Sequence, residues 1–199
     1  TKDGKKIEVS ANIGNIEDLK LAIENGCDGV GLFRTEFLYM ESSEFPSEEV
    51  QFEVYKEATE MLGEKPLIIR TLDIGGDKGL DYFKFPEEEN PFLGYRAVRL
   101  CLDKEEIFKT QLRALVRASA FGNLKIMIPF VVNIDELKKS IELIEDIKKD
   151  LDKEGIEYNK NLDVGIMVET SASIIMADKF IKYADFFSIG TNDLTQYTL

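Results

Sequence analysis

The residues of this chain best placed to do chemistry are two arginines and two carboxylates, each following an apolar run. Arg34 closes GVGLFR, Arg70 closes PLIIR, Glu169 closes VGIMVE, and Asn192-Asp193 follow FFSIGT. A guanidinium carried out of a buried segment needs an anion, because desolvating it alone is costly. Its planar fork suits phosphate or carboxylate. Glu169 and Asp193 are hard oxygen donors, and two carboxylates completed by substrate oxygens and water is the usual way of holding Mg²⁺. Asn192 adds an amide donor.

Each of these residues has a plainer alternative. Glu36 and Asp73 stand two and three positions after Arg34 and Arg70 and are obvious salt-bridge partners for them. Glu169 or Asp193 taken singly is as readily a helix N-cap, and Gly190-Thr191-Asn192-Asp193 reads as a polar turn. GGDK, Gly75 to Lys78, lets backbone approach a ligand and gives Lys78 a mobile charge, but many such stretches are plain turns. Arg96 and Arg99, after NPFLGY, read as surface positions, with Tyr95 a weak hint of a packed lid.

The elements that must position these residues alternate between strand and helix. Strands are expected at Ile7–Ile13, Gly29–Glu36, Pro66–Gly75, Leu124–Val131, Val164–Thr170 and from Phe186. Helices are expected at Ile16–Asn25, after Ser47 with Val50, Val54, Ala58 and Met61 as the apolar stripe, at Asp103–Phe121 with Asp103 and Glu106 as a capping box, and at Ile134–Lys153. Ser171 or Ser173 is the expected cap of a short helix running to Tyr183. This alternation predicts parallel α/β architecture in one domain, residues 1–199. A doubly wound sheet and a β/α barrel both fit. Charge delivered to one rim by four different strands favours the (β/α)₈ type, with about six of eight units present. The first and sixth strands are then expected to carry unpaired edges, covered by missing strands or a neighbouring chain.

Composition narrows the partners. The net charge of −13 argues against nucleic acid and makes any anion site a local concentration of arginine. With no histidine among 199 residues, a histidine nucleophile, base or metal ligand is excluded from this chain. No apolar run approaches the roughly 18 residues of a membrane span, and the chain opens on no signal-peptide pattern. Cys27 and Cys101 are isolated, which suits a reduced, cytoplasmic setting.

Five stretches, GVGLFRTEFLYM, RTLDIGGDK, NPFLGYRAVR, GIMVET and DFFSIGTNDLTQYTL, run in order through nearly the whole chain. In them the sequence resembles the phosphoenolpyruvate (PEP)-binding C-terminal domain of enzyme I of the bacterial PEP:sugar phosphotransferase system. The resemblance implies a (β/α)₈ barrel that binds PEP and Mg²⁺ at its C-terminal rim. Arg34 and Arg70 would grip the phosphoryl group, Glu169 and Asp193 would ligate Mg²⁺, Asn192 would contact PEP, and Lys78 and Arg96 would be supporting contacts. It also implies a phosphoryl-accepting histidine on a separate domain, a histidine-containing carrier protein downstream, and a homodimer. In the family's pattern a further arginine and an enolate-protonating cysteine follow the sixth strand. The chain ends before both, and Ser171 stands where a proline is usual. No catalytic residue is therefore expected within these residues, and activity in isolation is not expected. The other readings are a pyruvate phosphate dikinase or PEP synthase type of domain, a dimerisation or ligand-sensing module, and a metal-dependent C–C lyase on the same scaffold.

Overall fold

A computed structural model of the chain describes residues 1–76 and 78–199; Asp77, within the GGDK stretch, lies outside the described residues. The apolar runs form six strands: β1 (Ser10–Ile13), β2 (Gly29–Arg34), β3 (Leu67–Arg70), β4 (Leu124–Ile128), β5 (Val164–Val168) and β6 (Phe187–Ile189). They lie in a single sheet in the order β1-β2-β3-β4-β5-β6, every neighbouring pair parallel. A doubly wound sheet reverses its strand order at the ligand crevice. Here the order never reverses, so the sheet winds as a β/α barrel does, with six units in place. Among the described residues β1 pairs only with β2 and β6 only with β5, which leaves the barrel open.

Helices α1 (Ile16–Glu24), α2 (Glu36–Met40), α3 (Glu48–Leu62), α4 (Ala97–Asp103), α5 (Glu105–Ala118), α6 (Ile134–Glu154), α7 (Ser171–Ile175), α8 (Ala177–Phe180) and α9 (Thr191–Thr198) fill the connections. The side chains of Asn15, Ser47 and Asn133 accept backbone N–H groups and start α1, α3 and α6. Every residue of β5 is buried, as a strand covered on both faces must be. One apolar core joins the strands to α1, α3, α5 and α6.

Several local expectations differ from what is found. The first strand begins at Ser10, since Ile7 and Val9 are 64% and 69% exposed. The inward face of α3 is Gln51, Phe52, Tyr55, Ala58, Thr59 and Leu62, whereas Val50 is exposed. Polar residues displace the apolar stripe there because Gln51 accepts from the Tyr39 and Tyr55 hydroxyls (3.0 and 3.1 Å) and donates to the Pro46 carbonyl. The capping box of Asp103 and Glu106 does not form. Asp103 ends α4 and accepts from the Tyr95 hydroxyl at 2.5 Å, so α5 starts after Lys104 without a side-chain cap. Thr170, not Ser171 or Ser173, caps α7, paired with Ser173 in a capping box. The Thr191-Asn192-Asp193 turn is instead the first turn of α9, whose Leu194 N–H bonds the Gly190 carbonyl at 3.0 Å.

Candidate active site at the C-terminal ends of the strands

Parallel winding brings every strand's C-terminal end to one rim. Arg34 and Arg70 are the last residues of β2 and β3 and are register partners across the sheet. Glu169 follows β5 directly, Gly190 follows β6, and Asp193 lies in the first turn of α9. Lys78 and Arg96 come from the long connection between β3 and α4. Arg34, Arg70, Lys78, Arg96, Glu169, Asn192 and Asp193 all line a single cavity of about 430 Å³. Its remaining wall includes Asn12, Leu32, Phe92, Met167 and Ser188. A depression of about 600 Å³ lies at the opposite end, between α5 and β4 and between α6 and β5, and its charges Asp152 and Lys160 are already paired with each other.

Two like charges facing each other across strands are destabilising unless compensated. Glu36 and Asp73 supply that compensation at Arg70. Arg70 donates to Glu36 at 2.6 Å and pairs with Asp73 at 3.0 Å. Lys78 reaches the same carboxylates at 2.9 and 3.5 Å, so it is clasped, not mobile. Arg96 pairs with Asp73 at 2.8 Å and approaches Asp193 at 3.5 Å. The anticipated Arg70–Asp73 pair is therefore present, but Glu36 serves Arg70 and Lys78 in place of Arg34. Arg34 makes no ion pair among the described residues and lies over the Phe37 ring at 4.8 Å. Arg96 is not a surface residue: it is 1% exposed, between the Phe92 and Phe130 rings at 4.6 and 4.7 Å. Arg99 also lies over Phe130, at 5.1 Å, and donates to the Leu93 and Gly94 carbonyls.

Even with these pairs, polar groups remain unspent. Among the described residues, the Nε atoms of Arg34, Arg70 and Arg96 and Nη1 of Arg96 are buried without a hydrogen-bond partner, as is Oε2 of Glu36. Buried N–H groups are normally satisfied, so several at one cavity mark where an anion would complete them.

The carboxylate side of the cavity is held as tightly. Glu169, 1% exposed, accepts the Phe130 backbone N–H at 2.7 Å. Gly190 packs against its other side: a Cβ there would stand 2.9 Å from Glu169 Cβ and Oε2. Burial first, and then the charge of Asp73, push the Glu169 carboxyl up to about 8; Asp193 adds to this and Arg70 opposes it. Burial alone would raise Asp73 too, but Arg70, Arg96 and Lys78 hold it below the usual carboxylate range. Burial works against the charge of Arg70, yet Asp73 and Glu36 raise its affinity for the proton. Among the described residues no three His, Cys, Asp or Glu side chains cluster as a ready ligand set. Glu169 and Asp193 together offer what Mg²⁺ commonly takes from protein: two carboxylates, with the other positions left to substrate and water. A carboxyl raised by burial and like charge is also one that a cation would return to its ionised form.

Burial pushes the Cys101 thiol up and out of reactive range, and its Sγ faces the Leu72 carbonyl at 3.7 Å. Cys27 is half-buried. Phe130, Tyr197 and Gln111 are parts of the site that sequence reasoning missed. Gln111 accepts from the Leu72 N–H at 2.8 Å and donates to Thr35 Oγ1 at 3.1 Å, and Thr35 in turn donates to the Arg70 carbonyl at 2.9 Å. A glutamine on the inner face of a helix was the one available signal for it.

Along residues 1–199 the chain matches the family described as PEP-utilising enzyme, PEP-binding domain, and it belongs to that family. A phosphoenolpyruvate-protein phosphotransferase of Mycoplasma capricolum subsp. capricolum is 56% identical over 199 residues, covering 100% of this chain and 34% of the relative. One from Bacillus subtilis (strain 168) is 52% identical over 199 residues, covering 100% and 35%. The chain thus spans about a third of the length of the curated relatives it matches. Among solved structures, a citrate lyase from Burkholderia xenovorans LB400 aligns over 97% of this chain and 51% of its own, with a TM-score of 0.49 and 13% identity. No helix among the described residues is long and apolar enough to cross a membrane.

Proposed function

We propose that the rim cavity binds PEP together with Mg²⁺, and that the chain is the PEP-binding part of a phosphoenolpyruvate-protein phosphotransferase. The observation that carries this reading is the set of buried, unpartnered arginine N–H groups on the cavity that also holds Glu169 and Asp193. Arg34 and Arg70 offer their free N–H groups to the phosphoryl oxygens, with Arg96 and Lys78 adding charge behind them. Asn192 donates its amide from the rim, while Leu32 and Met167 form the apolar wall. Glu169 and Asp193 would hold the cation, which supplies Lewis-acid polarisation of a substrate oxygen. Fixed cations around the transferring group stabilise charge that is spread over its oxygens.

Charge balance supports binding of the pair together. Arg34, Arg70, Lys78 and Arg96 are matched by Glu36, Asp73, Glu169 and Asp193, so the site is close to neutral when all are ionised. A phosphorylated carboxylate carries roughly three negative charges, and it suits such a site best when a divalent cation enters with it.

The acceptor is a histidine on another domain or chain, since these 199 residues contain none. Its further partners on this reading are a histidine-containing carrier protein and a second copy, in the cytoplasm. The relatives' shared name supports the protein acceptor. The test is transfer from labelled PEP to the histidine domain in the whole protein. Arg34→Ala and Glu169→Gln should each cut phosphohistidine formation at least tenfold, and undiminished transfer in either variant would refute the assignment.

A further inference from the structure

Only two non-glycine residues have positive φ among the described residues: Ala97 at 50° and Phe130 at 59°. Both lie beside the same residue, Arg96. Ala97 is the chain neighbour of Arg96, and the Phe130 ring lies 4.7 Å from its guanidinium. A bulky residue in the left-handed region is strained, and such strain persists only where surrounding structure enforces it.

The enforcement at Phe130 is visible on both of its ends. Its backbone N–H points at Glu169 Oε1 (2.7 Å), an aim that follows from the turn after β4. Its ring is 1% exposed, against Arg96 on one side and the Tyr197 ring on another (5.4 Å). Tyr197 stacks on Phe92 at 5.7 Å and donates its hydroxyl to the Phe92 carbonyl, so it braces both of the rings that lie over Arg96. At Ala97, the strained backbone donates its N–H to the Ile74 carbonyl at 3.1 Å. Gly75 gives the room: a Cβ there would come within 2.6 Å of Arg96 Cβ.

We infer that Phe130 is a positioning residue that ties the carboxylate arm of the cavity to its arginine arm, its amide orienting Glu169 and its ring orienting Arg96. Apolar residues after a strand end are ordinarily core. This one instead contacts both charged arms at once in a backbone conformation that its side chain disfavours. The placement stands without any ligand. Its consequence for binding, a substrate contact at Arg96 coupled to a cation site at Glu169, rests on the function proposed above.

The experiment has a ligand-free arm and a ligand arm. Phe130→Met keeps volume and the backbone amide but removes the ring, so the fold should persist. In amide exchange by NMR, the Phe130 N–H should be strongly protected, and Glu169→Ala should speed its exchange at least about tenfold. The Arg96 Nε–H resonance should lie upfield from ring currents and move downfield in Phe130→Met. An unprotected Phe130 amide, or an Arg96 resonance unmoved by Phe130→Met, would overturn the inference whether or not PEP binds. In titrations of the whole protein, Phe130→Met should weaken PEP about tenfold, the scale of a buried cation–π contact, while leaving Mn²⁺ affinity within about twofold. Equal loss of both would show a general packing defect and overturn it. Wild-type protein that fails to bind PEP would overturn the proposed function and leave the ligand-free arm to decide this claim.

Discussion

Replacing Glu169 by glutamine should make the cation-free protein more stable at pH 8 and leave it little changed at pH 4.5. The carboxyl is 1% exposed and its proton is held up to about 8, against 4.5 for the free side chain. Between those values the folded protein retains a proton that the unfolded chain has lost. The native state therefore binds more protons, and stability falls as pH rises from about 4.5 to about 8. A tenfold difference in proton affinity is worth about 1.4 kcal/mol, so the full effect is on the order of 5 kcal/mol. Glutamine keeps the acceptor for the Phe130 N–H and carries no charge, so it should abolish most of this slope. The assay is urea unfolding at half-unit steps from pH 4.5 to 8.5 in EDTA. Parallel wild-type and Glu169→Gln curves across that range would refute the claim that burial, with Asp73 nearby, keeps Glu169 protonated. Mg²⁺ added at pH 8 should recover stability in the wild type and not in the variant, because a ligand stabilises only the state that binds it.

Arg34 and Arg70 should separate binding from folding. Arg34→Ala removes a side chain with no ion pair among the described residues and should change unfolding free energy by no more than about 1 kcal/mol, yet lower PEP affinity at least tenfold by calorimetry. Arg70→Ala leaves Glu36 to Lys78 and Asp73 to Lys78 and Arg96, and should cost about 3 kcal/mol in the same urea assay, the lower end for breaking a buried ion pair. Gly190→Ala places a methyl 2.9 Å from Glu169; expect about 1 to 3 kcal/mol of destabilisation and weaker Mn²⁺ binding measured by paramagnetic relaxation. Gln111→Leu leaves the buried Leu72 N–H unpaired and should cost about 1 to 3 kcal/mol, with a concurrent rise in the Kd for PEP as the Arg70 backbone loosens.

The strand ends were legible because charge following an apolar run is a one-dimensional signal. That rule chose Arg34, Arg70, Glu169 and Asp193 from sequence, and the parallel winding set them on one cavity. What escaped it depended on partners distant in the chain. The inward face of α3 is partly polar because Gln51 accepts from Tyr55, one turn along the same helix, and from Tyr39 in α2, and the Tyr39 contact is one that no period within α3 could show. Asn192 and Asp193 read as turn residues, but Tyr197, one helical turn further along, is anchored to Phe92, and that contact extends them into α9. Arg96 read as surface because its shield consists of Phe92 and Phe130, from two separate connections. Strain at Phe130 leaves no trace in its residue type.

The central claim, that free arginine N–H groups and the Glu169–Asp193 pair form one site for PEP with its cation, is tested most directly by calorimetric titration of PEP into protein carrying this domain, in Mg²⁺ and in EDTA. PEP should bind at least tenfold more tightly with Mg²⁺, and Arg34→Ala should remove that binding while the protein stays folded. Equal affinity in Mg²⁺ and EDTA, or wild-type affinity in folded Arg34→Ala, would contradict it.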